Sequence, residues 1–67
     1  MLKSETRSSG SKVTHYISGS NGEVCKELAK LIDYYVNGGY DGKLESFGFN
    51  SETKNYEGVF TRYDNCD

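Results

Sequence analysis

Ser18-Gly19-Ser20-Asn21-Gly22-Glu23-Val24-Cys25-Lys26-Glu27-Leu28 is the stretch whose reading decides the fold. Two glycines among small polar residues, set directly before an apolar period, suit either a phosphate cradle or the start of a helix. A phosphate loop of the G-x-x-x-x-G-K-[ST] type needs a lysine and a hydroxyl after its last glycine. Here Gly22 is followed by Glu23 and Val24, and the spacing G-x-G-x-x-G is also missing. What fits is a capping box: Ser20 as N-cap and Glu23 three residues on, each side chain satisfying the other's unpaired backbone N–H. Glu23 also sets a negative charge on the positive end of the helix dipole, where it repels an anion. The stretch reads as a helix start.

From that start, Val24, Leu28, Leu31 and Tyr35 recur at spacings of four, three and four, with Cys25, Ala29, Ile32 and Val36 as a second stripe beside them. Together they form one broad apolar helical face. Lys26, Glu27, Lys30, Asp33 and Asn37 occupy the opposite, solvated face. Gly38 and Gly39 end the helix, one of them able to take the left-handed conformation of a C-terminal cap.

Outward from the helix the pattern changes to period two. Residues 12–18, KVTHYIS, read as a strand. Residues 2–8, LKSETRS, form a weaker polar strand joined to it by a tight turn at Ser9-Gly10, so residues 1–10 read as an edge strand or a mobile arm. Residues 43–49 and 55–63 are two further strands, with the polar loop 50–54 as their hairpin connection. Residues 64–67 are expected to fray. The expected fold is α+β: ββαββ, a single domain over residues 1–67 with a four-stranded, mainly antiparallel sheet and one helix on one face.

Alternation within those strands places Val13, Ile17, Phe47, Phe49 and Val59 toward the helix and Tyr16, Leu44, Tyr56 and Phe60 on the far side. One helix cannot cover both faces, so the far side is expected to be an aromatic contact surface. Tyr16, Tyr56, Phe60 and Leu44 are its candidate binding residues. Tyr40, flanked by glycines in GGYDG, is a fifth, as a residue placed to protrude.

Composition limits the function. The chain has 67 residues, of which 34% are hydrophobic, and nine aromatic residues concentrate its apolar area in large side chains. A core this small supplies only about 3–5 kcal/mol, which makes a homo-oligomer, a dimer first, the expectation. The net charge is −2, and Lys3, Arg7 and Lys12 near the start form no clustered basic surface, so nucleic acid is not an expected partner. No run approaches the 18 or more apolar residues of a membrane span, and the sequence reads as cytoplasmic. His15, Cys25 and Cys66 lack metal-ligand spacing, so neither metal nor cofactor is expected. Cys25 reads as a small apolar helix residue and His15 as a strand histidine at the core's margin. With no nucleophile at a recognisable spacing from His15 and little room to exclude water, no enzymatic activity is expected.

Taken whole, the chain resembles the small accessory proteins encoded by bacteriophages and mobile elements, including anti-CRISPR and other anti-defence inhibitors. The likeness lies in the overall make-up of a compact, acidic, cysteine-poor, aromatic-bearing ββαββ chain, in which SGSNGEVCKELAKLI is the most similar-looking segment. The resemblance implies a non-enzymatic viral inhibitor that blocks a host defence protein by direct contact in the host cytoplasm. The alternative is an oligomer that sequesters a small ligand, such as a nucleotide signal, between its subunits.

Overall fold

The structure, a computed structural model, describes residues 1–63; the expected frayed tail lies outside the described residues. Strand β1 (Lys3–Ser9) and strand β2 (Lys12–Gly19) form a hairpin, helix α1 (Asn21–Leu31) runs into a π-helical turn (Ile32–Val36), and β3 (Gly42–Asn50) and β4 (Asn55–Tyr63) form a second hairpin. All pairings are antiparallel and the sheet order is β1-β2-β4-β3. The α+β, ββαββ expectation is therefore what the chain adopts.

The helix begins where the capping box places it. The Ser20 hydroxyl accepts from the Glu23 N–H at 3.3 Å, and the Ser20 N–H donates to Glu23 Oε1 at 3.0 Å. These two bonds hold the Glu23 carboxyl below its ordinary range, the backbone bond being the larger cause. Gly10 turns the first hairpin at φ 62° and Gly39 takes φ 95° beyond the helix, both in the left-handed region that glycine enters without strain.

The core is small: Ile17, Val24, Leu28 and Phe60 pack together, with Leu31, Ile32, Tyr35 and Tyr56 half-buried around them. Val13 and Ile17 of β2 face the helix as expected. On β4 the expectation is overturned. Gly58 lies directly beneath the helix, because a Cβ there would stand 2.7 Å from Leu28 Cδ1 and 3.2 Å from Val24 Cγ1. The helix-facing set is thus Tyr56, Gly58 and Phe60, and Val59 takes the opposite face. Phe60 is 0% exposed and belongs to the core, not to a contact surface; Tyr56 packs at the core's edge.

Leu44 is corrected for a different reason. Leu44 opposes Phe60 and Ser46 opposes Val59, so Glu45 is the extra residue of a β-bulge. The bulge resets the alternation of β3, bringing Leu44 to the same face as Phe47 and Phe49. All three lie on the helix side, but at an edge strand. The helix sits over β2 and β4, and β3 meets it chiefly through the π-helical turn. Cys25, expected in the apolar stripe, is exposed, its thiol donating to Asn21 Oδ1 at 3.1 Å.

The face away from the helix is consequently not an aromatic patch. It carries Lys3, Glu5 and Arg7 on β1, opposite Ser18, Tyr16 and Thr14. Tyr16 is exposed there with the Arg7 guanidinium 5.5 Å from its ring centre, and Arg7 pairs with Glu5 at 3.3 Å. A shallow depression of about 610 Å³ lies among Lys3, Glu5, Tyr16, Ser18, Glu57 and Val59.

Candidate functional site

Two exposed apolar regions flank the helix, one at its C-terminal end and one along β3. The first is built by the wide last turn. Asn37 N–H donates to Ile32 O at 3.1 Å and Tyr40 N–H to Tyr35 O at 2.8 Å, both five residues back. A π-type turn widens the helix and re-aims its side chains. Here the effect is that two adjacent tyrosines and the one beyond the GlyGly cap converge. Tyr34 meets Tyr35 edge-on at 4.8 Å between ring centres, and Tyr40 meets Tyr35 edge-on at 6.0 Å. Tyr35 is anchored from below by Phe60 at 6.4 Å and His15 at 6.1 Å, while the Arg62 guanidinium lies 4.2 Å over its ring. Tyr34 is 69% exposed and Tyr40 48%, so the outer two rings of a braced three-ring stack are presented to solvent. A recess of about 430 Å³ formed by Lys30, Leu31, Asp33, Tyr34 and Tyr35 opens beside them.

Beneath the stack, His15 is buried between two strands. Arg62 Nε–H donates to His15 Nε2 at 3.1 Å, which leaves the proton on Nδ1, 3.3 Å from Thr6 Oγ1. Burial and then the nearby Arg62 charge lower the histidine's pKa from its ordinary 6.5, against a smaller upward pull from Glu27. The folded state thus prefers neutral His15. Stability from this site is complete above pH 6.5 and is lost as pH falls from there toward the folded pKa, where the unfolded chain takes up a proton that the folded one resists. We expect the urea midpoint to fall between about pH 7.5 and about pH 5.5, and His15→Gln to flatten that dependence. An unchanged wild-type midpoint would show that His15 titrates alike in both states.

The second region is the helix side of β3. Leu44, Phe47 and Phe49 are 44%, 42% and 56% exposed. Phe47 stacks with Tyr56 at 5.9 Å and Phe49 meets it edge-on at 5.2 Å, so the strip is braced from β4. Val36 joins it to the tyrosine end by packing near Gly42, whose missing side chain leaves room for Phe60.

Of the five residues singled out from sequence, Tyr40 belongs to the tyrosine end, Leu44 and Tyr56 to the β3 strip, Tyr16 to the polar face and Phe60 to the core. The structure does not bring them into one site. Tyr34, Phe47 and Phe49 are the exposed aromatic residues of these two regions that sequence reading missed. Tyr34 was legible as an aromatic residue off the helix's apolar stripe. Among the described residues no three His, Cys, Asp or Glu side chains converge as metal ligands, and no helix is long and apolar enough to cross a membrane. No family model, curated protein or solved structure matches the chain.

Proposed function

We propose that the protein is a small non-enzymatic binding protein that occludes a protein partner through its tyrosine end. The observation that carries this reading is the stack of Tyr34, Tyr35 and Tyr40, braced by Arg62 and exposing its outer two rings. Tyrosine offers a large rigid ring with a polar tip, and it is enriched among residues that dominate binding energy. Bracing fixes the rings before contact, which reduces the ordering cost of association. The resemblance to phage anti-defence inhibitors directs the choice of partner to a host protein, with steric blockade as the mode of action.

The test is recovery of the bound protein from a bacterial lysate by the wild-type chain and by Tyr34→Ala/Tyr40→Ala. Loss of two such anchors is expected to weaken capture at least about tenfold, with the far-UV circular dichroism unchanged. Equal recovery of the same partner by both chains would remove the tyrosine end as the contact surface.

A further inference from the structure

The two edges of this sheet are built differently. The β1 edge carries Lys3, Glu5 and Arg7 on one face and Ser4, Thr6 and Ser8 on the other, so it offers an approaching strand no apolar surface. Charged edge strands of this kind discourage edge-to-edge pairing. The β3 edge is nine residues long and holds its charges, Lys43 and Glu45, at one end, tied to each other at 3.2 Å. Beyond the bulge it reads Ser46-Phe47-Gly48-Phe49, with both phenylalanines on the helix side and only small groups on the other. An exposed edge strand of this length and character is a template for strand addition.

We infer that β3 pairs with β3 of a second copy of this chain, antiparallel across a dyad at Gly48, making one continuous eight-stranded sheet. A dyad normal to the sheet keeps both helices on the same side, so Phe47 of each copy opposes Phe49 of the other. A dyad along the strands would make the pairing parallel and turn the two apolar strips to opposite faces, forfeiting their contact. The helix does not obstruct the approach, because it lies over β2 and β4. The area suits a weak dimer. Full burial of a phenylalanine removes about 150–250 Å² from water, so Phe47 and Phe49, 42% and 56% exposed, offer at most about 200 Å² per copy. With the roughly five paired residues of each backbone edge, the two copies together bury on the order of 800 Å², the size of a weak, concentration-dependent interface. This surface meets the tyrosine end only through Val36 and includes none of its three rings. Because β3 starts beside that end and the partner strand runs the other way, the dimer carries its two tyrosine ends at opposite extremes of the joined sheet and leaves both open.

Sedimentation equilibrium of the full chain at about 50 µM, within reach of a small interface, is expected to give twice the 7.5 kDa chain mass. Phe49→Lys, with a charge set into the strip, is expected to weaken the dimer at least about tenfold while retaining the far-UV spectrum. Phe47→Lys, at the position that opposes Phe49 across the dyad, gives the same result should Phe49→Lys perturb folding. Opposed residues of antiparallel strands lie about 4.5–5.5 Å apart at Cα, within disulfide reach. In a Cys25→Ser/Cys66→Ser background, Gly48→Cys should therefore oxidise to a covalent dimer and Glu5→Cys should not. A 7.5 kDa particle at that concentration, a dimer indifferent to both lysine variants, or cross-linking through position 5 rather than 48 would each overturn the inference. None of these outcomes bears on partner capture by the tyrosine end, which is read separately.

Discussion

Phe60→Ala is expected to leave most of the chain unfolded at 25 °C, seen as collapse of amide dispersion in NMR spectra and loss of a cooperative urea transition. Phe60 is the largest fully buried side chain, and it touches the core from β4 while supporting the Tyr35 and His15 rings. Removing a buried phenylalanine ring costs about 3–5 kcal/mol, because the transfer energy is lost and a cavity remains. A single core in a chain this short supplies about the same amount. Phe60→Leu, which refills part of the volume, should restore a cooperative transition at reduced midpoint. A folded, cooperative Phe60→Ala chain would mean that stability comes from contacts outside the four-residue core.

Gly58→Val is the second large effect. Its Cβ would lie 2.7 Å and 3.3 Å from the two methyl carbons of Leu28 and 3.2 Å from Val24 Cγ1. Both residues are buried, so neither has free space into which to retreat. Overpacking of this kind costs about 1–3 kcal/mol, and the helix must lift from the sheet to relieve it. Gly48→Val supplies the contrast: nothing lies within 4 Å of its Cβ position, and valine suits an extended backbone better than glycine. The urea midpoint should drop for the first variant and hold or rise for the second. Equal effects at the two glycines would contradict a helix seated on Gly58.

These two residues also explain how far the fold was legible in the sequence. The helix start was readable because a capping box is local: Ser20 and Glu23 satisfy each other whatever the rest of the chain does. The bounds of β4 were readable for a similar reason, since an alternating run flanked by polar turn residues marks itself. Which face of β4 meets the helix was not readable. Gly58 has no side chain, so it contributes no hydrophobic signal, and Val59 stood out instead. The bulge at Glu45 likewise leaves no trace in composition, yet it moves Leu44 to the other face. The Arg62 to His15 hydrogen bond joins residues 47 apart, through a strand pairing that no local pattern reveals. The tyrosine end was half legible: Tyr40 was marked by its glycines, but its stacking on Tyr35 depends on the widened turn.

The strand order has a kinetic consequence. Each hairpin closes over a short turn, an event of about 1–10 µs, whereas the seam between β2 and β4 sets His15 against Phe60 across the whole intervening chain. Closing so long a loop costs entropy before any seam contact repays it. The two hairpins and the helix are thus the early units, and the seam is the rate-limiting assembly. Alterations at Gly58 and Phe60 should slow refolding, whereas alterations at the edge strands should mainly speed unfolding.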